Sequence, residues 1–306
     1  MISSLSRTVR ERQDIHIMAA AIAVFAWGTG PIMNKVMTVD TPAIVFYRTL
    51  LGTPLMVWVA YATGGGLSRE LMRRTAVPGV LFALSFITGF ASVKMTSIAN
   101  ATLITTIQPV LVVFIAPRLF GERLTPRQLG YSFLSLAGVL MVVMAAASSS
   151  GAHISGDMMA VANVVLWTAY FVLAKQNRMD GVHSWSFLAA IFVWLAIVVL
   201  PFGAITSNSL GQMTTKDWLC AAGMTLGPGL LGHGLMTWSQ SHVDVTIASL
   251  LGLLSPVVST ALALVFLGEL LTPWQVAGAF VVLASLALLV ANQRGTTPKV
   301  SLEVPE

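Results

Sequence analysis

Charged residues are scarce in this sequence. Only 9% of its 306 residues are Asp, Glu, Lys or Arg, whereas about 25% is usual in a soluble domain. A soluble protein of this length could not keep its surface hydrated with so few charges. The shortage therefore excludes an ordinary soluble domain and predicts a chain whose main solvent is lipid.

Sequence signatures of catalysis and of cofactor binding are absent as well. Cys220 is the only cysteine, so an intrachain disulfide cannot form. There is no Gly-x-x-x-x-Gly-Lys-Ser/Thr loop for ATP phosphates, no His/Cys cluster with metal-ligand spacing and no nucleophile–base pair. We therefore expect a protein that is not an enzyme, is not driven by ATP and needs no cofactor or metal.

The few charged side chains lie in loops or near the ends of apolar runs. No Asp or Glu lies deep in a run, so the carboxylate relay that carries protons in many transporters is absent. The net charge of +5 does not form a basic stripe interleaved with aromatic residues. We therefore expect no nucleic-acid partner.

Long apolar runs dominate what remains, since 56% of the residues are hydrophobic. Ten windows have the roughly 20 apolar residues that a helix needs to cross a bilayer. They predict an all-α polytopic membrane protein with ten transmembrane helices and no room for a soluble domain. The windows are 17–37, 43–63, 76–94, 98–117, 127–147, 157–176, 186–205, 218–239, 245–266 and 273–292.

Lys and Arg are distributed unevenly among the short loops. With the N-terminus in the cytoplasm, most of them lie in cytoplasmic segments, and the opposite loops hold only Lys94 and Lys216. Lys35 and Arg48 lie near the outer ends of spans 1 and 2. Because positive loops stay in the cytoplasm, we predict a multi-pass protein of the cytoplasmic (inner) membrane with both termini cytoplasmic.

One polar motif occurs twice, as Gly-Glu-Arg-Leu-Thr-Pro at 121–126 and Gly-Glu-Leu-Leu-Thr-Pro at 268–273. Each copy predicts a rigid turn with a capping box at the start of the next helix, and a role in substrate coupling is the alternative. Because five spans separate the copies, the second half would enter the membrane the other way up. We predict two inverted five-helix repeats, at residues 1–148 and 149–306.

Three stretches resemble the EamA branch of the drug/metabolite transporter superfamily, over nearly the whole chain. The resemblance implies ten helices in two inverted repeats around a central cavity, and transport of small metabolites, often outward. The second repeat departs from the pattern, with Trp167-Thr168 where the first has Trp27-Gly28. The stretches are Trp27–Pro31 with Lys35, Ala101–Pro109 running into 121–126, and Ala248–Pro256 running into Gly268-Glu269.

His233 is the first candidate site residue. It lies inside span 8 in the stretch Gly-Pro-Gly-Leu-Leu-Gly-His-Gly, and so much Gly and Pro weakens a helix. Interrupted helices at mid-membrane often mark binding sites. Two interpretations stay open: the imidazole faces a cavity, or it is hydrogen-bonded between packed helices.

Trp27 and Trp167 occupy corresponding places near the middle of spans 1 and 6. They are either flat walls of the cavity or packing residues between the repeats. Asn163 and Tyr170 share the face of Trp167, and Asn34 lies near the face of Trp27. All five are predicted substrate-binding residues.

Arg48 also has two interpretations. It holds an anionic group such as a carboxylate, together with Lys35, or both side chains extend to lipid headgroups. The remaining predicted substrate-binding residues are aromatic or polar positions within spans. They are Phe86, Phe90, Thr105 and Trp238.

Our first hypothesis is a secondary transporter that moves small metabolites, such as amino acids or related compounds, by alternating access. Export is implied by the resemblance alone. The alternatives are uptake of a vitamin or nucleobase-like nutrient and, in another class, an intramembrane lipid-handling protein or enzyme. The expected partners are a small-molecule substrate and the lipid bilayer, and a homodimer is left open.

Overall fold

The computed structural model describes residues 2–96, 101, 104–122, 125–146, 154–267 and 272–293. These ranges are helical apart from short turns and contain no strand, as the all-α prediction requires. In chain order the elements are α1 (Ile2–Val36), α2 (Thr41–Ala62), α3 (Arg69–Arg74), α4 (Ala76–Met95), α5 (Gln108–Leu119), α6 (Pro126–Ala146), α7 (Ile154–Met179), α8 (Ser184–Thr206), α9 (Thr215–Met224), a π-helix (Thr225–His233), α10 (Gly234–Ser239), α11 (Val245–Leu251), α12 (Leu254–Leu267) and α13 (Pro273–Gln293).

Six helices within the described ranges are long and apolar enough to cross a membrane. The other four predicted windows are also helical where described, but as shorter pieces or with part of the window outside those ranges. The number of ten spans therefore stays a prediction. The six segments are Asp14–Val36, Thr41–Ala62, Ala76–Met95, Ile154–Met179, Ser184–Thr206 and Pro273–Ala291.

Large apolar side chains cover the outside of the helices. Trp58, Phe114, Trp274 and Phe280 are each at least 65% exposed. Apolar surface spread over many helices would be costly in water, whereas hydrocarbon solvates it without penalty. The outer surface is therefore that of a membrane protein.

Both predicted capping boxes are present. The Thr125 N–H donates to Gln128 Oε1 at 2.9 Å, and the Gln128 N–H donates to Thr125 Oγ1 at 3.3 Å. The Thr272 N–H donates to Gln275 Oε1 at 2.8 Å, and the Gln275 N–H donates to Thr272 Oγ1 at 3.3 Å. Each box satisfies backbone donors at the start of α6 or α13. Residues 123–124 and 268–271 of the motifs lie outside the described residues.

The hydrophobic core is shared between the first and second halves of the chain. Helix α6 packs along α13, α4 along α7, and α2 along α8, while α1 contacts the π-helix and α12. One cluster of buried apolar side chains draws on α1, α5 and α6 from the first half and on α7 and α10–α13 from the second. Each half therefore buries much of its apolar surface against the other.

The difference between Trp27-Gly28 and Trp167-Thr168 follows from this packing. Helix α12 approaches α1 so closely that a Cβ at Gly28 would lie 2.7 Å from Val258 Cβ, and Ser259 Oγ donates to the Gly28 carbonyl at 2.8 Å. Thr168 is buried, and its hydroxyl donates to the Val164 carbonyl of its own helix at 2.6 Å. Glycine is needed only where another helix touches the backbone.

Candidate functional site

The Gly- and Pro-rich stretch around His233 departs from an α-helix. Residues Thr225–His233 form a π-helix between α9 and α10. Pro228 has no N–H to donate to the Met224 carbonyl four residues earlier, and glycines reduce the stability of the α-helical form. Short π-helical turns occur frequently at functional sites. The segment packs on α1 and places His233 in the protein interior.

A small cavity lies between α1, α7 and the stretch from the π-helix into α10. Its free volume is about 10 Å³, which is room for about one water molecule. A metabolite can enter only if the surrounding helices separate. The lining residues are Trp27, Trp167, Tyr170, Phe171, His233, Met236, Thr237 and Gln240.

Four predicted residues line this cavity, Tyr170 and the three whose rings meet, Trp27, Trp167 and His233. The ring centroids of Trp27 and Trp167 are 5.5 Å apart, with the planes at 83°. The imidazole of His233 lies 5.3 Å from Trp27 and 5.8 Å from Trp167, between ring centroids. Edge-to-face and tilted contacts of this kind are favourable between aromatic rings, so the three rings form one aromatic group.

Gly232 allows Trp27 to occupy its place. A Cβ at residue 232 would lie 2.5 Å from both Cδ1 and Nε1 of the Trp27 indole, which is closer than side-chain atoms pack. The glycine therefore determines the position of Trp27 against the π-helix.

Two polar atoms near the cavity have no hydrogen-bond partner within the described part of the chain. They are the indole Nε1 of Trp27 and the Oε1 of Gln240. Buried polar atoms are nearly always paired, because an unpaired one costs about 1–3 kcal/mol. A donor and an acceptor are thus available to a bound polar molecule.

Two phenylalanine rings also lie close to His233. Phe82 lies 5.1 Å away and Phe192 6.4 Å away, between ring centroids. Tyr170 is buried and contacts both Phe82, at 4.7 Å, and Trp167, at 5.3 Å. The predicted aromatic character of the site is therefore present around His233.

Arg48 does not extend to headgroups. Its residue is only 7% exposed, and it lies seven residues along α2 from Thr41, about 10 Å from the helix start. Its Nη2 donates to the Met224 carbonyl at 3.1 Å, and its Cζ lies 4.9 Å from the ring centroids of both Phe86 and Phe90. Of the two interpretations, headgroup contact is wrong for Arg48, whereas Lys35 is exposed as headgroup contact requires.

The other predicted residues do not line this cavity. Asn34 is buried with its Oδ1 unpaired, and Asn163 packs against Gly89 of α4. Thr105 is partly buried. Trp238 makes a tilted ring contact with His16, with centroids 4.0 Å apart.

Four lining residues were missed: Phe171, Met236, Thr237 and Gln240. Helical spacing contained a signal for them, because Phe171 follows Trp167 by four residues. Met236, Thr237 and Gln240 follow His233 by three, four and seven residues, which are positions on one helix face.

At one end of the long helical stretch from α9 to α10, Glu122 joins the two halves. Its carboxylate accepts hydrogen bonds from the Val245 N–H at 3.0 Å and from the N–H and hydroxyl of Thr246 at 3.2 and 3.1 Å. It therefore caps α11, a helix of the other half. Burial, followed by the charge of Asp244, raises the pKa of the Glu122 carboxyl above its usual range, although Lys175 and these hydrogen bonds oppose the shift.

At the other end of that stretch, Asp217 makes a second contact between the halves. Its side chain accepts from the N–H and hydroxyl of Thr38 at 2.8 and 2.7 Å and forms a capping box with Thr214. Burial acts to raise the pKa of Asp217, but the hydrogen bonds from Thr214 and Thr38 outweigh it and lower this pKa to about 2. The cavity thus lies between two polar contacts that connect the halves.

Comparison with known proteins agrees with this fold. The chain is 24% identical over 294 residues to the pseudopaline exporter of Pseudomonas aeruginosa, covering 92% of this chain and 99% of that protein. It is 26% identical over 255 residues to an aromatic amino acid exporter of Ancylobacter novellus, covering 79% and 85%. A solved structure matches with a TM-score of 0.74 at 20% identity, covering 91% of this chain and 98% of that one, which shows the fold alone.

The model of the EamA-like transporter family matches residues 14–144 and 154–291. Together these segments include most of the chain, with Trp27, Trp167 and His233 among their residues. The protein belongs to the EamA-like transporter family.

Proposed function

We propose that this protein is a secondary transporter that exports small metabolites, such as amino acids or related compounds, across the cytoplasmic membrane by alternating access. The observation that carries the proposal is the cavity between Trp27, Trp167 and His233, in which helices of both halves meet. Its aromatic walls with a few polar atoms are typical of sites for small amphipathic molecules.

The unpaired polar atoms give the proposed site its chemistry. The indole N–H of Trp27 can donate to an oxygen of the substrate, and the amide oxygen of Gln240 can accept from a substrate ammonium group. The rings of Trp167 and Tyr170 offer apolar surface to a side chain. An amino acid or a related compound has all three features.

We take the architecture to be ten helices in two inverted five-helix repeats, residues 1–148 and 149–306, with both termini in the cytoplasm. The repeated motif and the two family segments support this proposal. In that orientation the Glu122–Thr246 contact lies on the cytoplasmic side and the Asp217–Thr38 contact on the outer side. Rocking of the repeats would break these contacts alternately. Outward transport is favoured because relatives are named exporters.

A counterflow experiment tests the proposal. Proteoliposomes loaded with unlabelled L-phenylalanine or L-leucine are given the radiolabelled form outside. We expect exchange by the wild type and an at least tenfold lower rate in Trp27→Ala and Trp167→Ala, since each loses roughly 100 Å² of apolar contact with the substrate. Trp58→Ala is the matched control because this tryptophan is 66% exposed on the outer surface.

Two results would contradict the proposal. If the wild type exchanged neither amino acid, this substrate class would be excluded. Equal rates in the wild type, Trp27→Ala and Trp167→Ala, with equal amounts of protein in the liposomes, would show that the substrate does not use this cavity.

A further inference from the structure

The environment of Arg48 is unusual for a cation. The residue is 7% exposed, and no ion pair within the described ranges includes it. Of its five N–H donors, one pairs with the Met224 carbonyl at 3.1 Å, while the Nε is buried without a partner. A buried guanidinium is thus left without a counter-charge.

Such an arrangement is destabilising unless an anion pairs with the guanidinium. Removing a charge from water costs several kcal/mol even after the protein relaxes. The contacts with one carbonyl and two aromatic faces offset only part of this free energy. Charged groups inside membrane segments are rare and functional for this reason. The planar guanidinium has the geometry to hold a carboxylate through two parallel hydrogen bonds.

The local structure explains how Arg48 is held. Pro228 lacks the N–H that would pair with the Met224 carbonyl in an α-helix, and Nη2 donates to this oxygen. Phe86 and Phe90, one helical turn apart on α4, flank the guanidinium at 4.9 Å each. Arginine stacks well on such rings, and together these contacts fix the position of the charge.

A row of rings connects this position with the cavity. Phe86 contacts Phe82 at 5.9 Å, and Phe82 contacts His233 at 5.1 Å, between ring centroids. Arg48 is therefore connected to the cavity residue His233 by a continuous series of ring contacts through Phe86 and Phe82. A molecule bound against His233 and Phe82 can direct a charged end toward the guanidinium.

We infer that Arg48 is an anion-binding subsite that selects substrates with a carboxylate, the rest of the substrate lying against the Phe82–His233–Trp167 rings. The inference rests on the proposed transport function and adds to it the substrate class: small carboxylic acids with an apolar or aromatic part, amino acids among them. Arg48 is then a specificity-determining residue, since a substrate without the anionic group leaves the guanidinium unpaired.

The test compares three ligands that differ only at the carboxylate. Binding of L-phenylalanine, L-phenylalaninamide and phenethylamine is measured with purified protein in phosphatidylcholine nanodiscs, for the wild type, Arg48→Met and Arg48→Lys. Lys35→Met is the matched control, because Lys35 is an exposed cation on the neighbouring helix α1.

We expect the wild type to bind L-phenylalanine at least about tenfold more tightly than the amide, since a hydrogen bond to a charged group contributes this much. In Arg48→Met the ratio of the two affinities, phenylalanine over amide, falls to about one because only phenylalanine binding weakens. Lys35→Met keeps the wild-type ratio. An unchanged ratio in Arg48→Met, or no preference in the wild type, overturns the inference. If Arg48→Met does not fold, Arg48→Lys decides, because losing the planar fork must lower the ratio and an unchanged ratio overturns the inference.

Two further experiments identify the reason if the expected binding is not observed. If the wild type binds none of the three ligands, the amino-acid function fails, and Arg48 is then tested with benzoate against benzyl alcohol. Benzoate binding that Arg48→Met abolishes retains the anion subsite, and any other result overturns it. If phosphatidylglycerol nanodiscs weaken phenylalanine binding in the wild type but not in Arg48→Met, a lipid phosphate occupies Arg48 and the substrate assignment falls.

Discussion

The indole rings of Trp27 and Trp167 meet edge to face, with centroids 5.5 Å apart and planes at 83°. The two residues are 140 positions apart in the chain and come from helices that are long enough to span a membrane. His233 lies within 6 Å of both rings. Helices from both halves of the chain therefore contribute to one small aromatic site.

A methyl group at residue 232 should displace Trp27. In Gly232→Ala the new Cβ would lie 2.5 Å from the indole, so we expect overpacking to lower the free energy of unfolding by about 1–3 kcal/mol. We expect the affinity for substrate to fall by a proportionally larger amount. Thermal unfolding and phenylalanine binding measure the two effects. Gly130→Ala is the matched control, because nothing lies within 4 Å of a Cβ there. Equal behaviour of the two variants would contradict the tight contact at Gly232.

Weakening the Asp217 contact should open that end of the protein. Asp217→Asn and Thr38→Val each remove hydrogen bonds that join the halves. Cys220, partly buried one turn further along α9, is the only cysteine and reports on opening without engineered labels. We expect a membrane-impermeant maleimide added outside to label it several-fold faster in both variants than in the wild type, and Glu122→Gln to show no increase. A rate unchanged in both variants would show that this contact does not control opening.

Glu122 should make stability depend on pH. Burial raises its folded pKa, so the folded state holds this proton more tightly than the unfolded state does. The stabilisation is complete below the unfolded pKa, about 4.3, and is lost as pH rises through the folded value. Compared with Glu122→Gln, the wild type should therefore lose thermal stability as pH rises through this window.

The matched control for this pH profile is Glu70→Gln, since Glu70 is exposed on α3. Its unfolding temperature should follow that of the wild type at every pH. A constant difference between the wild type and Glu122→Gln across the window would show that the Glu122 proton is not linked to folding.

Sequence reasoning located the site better in some places than in others. Trp27, Trp167 and His233 were each predicted as candidates because repeat position, depth in the span and helix-breaking residues can be read from the local sequence. Trp238, which was also predicted, does not line this cavity. It lies five residues after His233, which places it on another face of the helix, and its ring contacts His16 from the start of the first span.

Contacts between distant segments were not predictable in the same way. Glu122 lies in a motif that was predicted to form a turn before the next helix, but its carboxylate caps α11 from the other half of the chain. Arg48 had two open interpretations because its position near the start of a span fits either headgroups or the interior. Only its burial between Phe86 and Phe90 separates them.

The sequence by itself determined that lipid is the main solvent, where helices form and how they are capped. Hydropathy over 20 residues and the Thr–Gln boxes are local properties, and lipid leaves the backbone no alternative to internal hydrogen bonds. The tertiary structure decided which faces meet, because the rotation of each helix depends on residues far away in the chain, such as Gly232 beneath Trp27. Close packing between helices therefore brought together residues whose local sequence specified only how deep in the membrane each one lies.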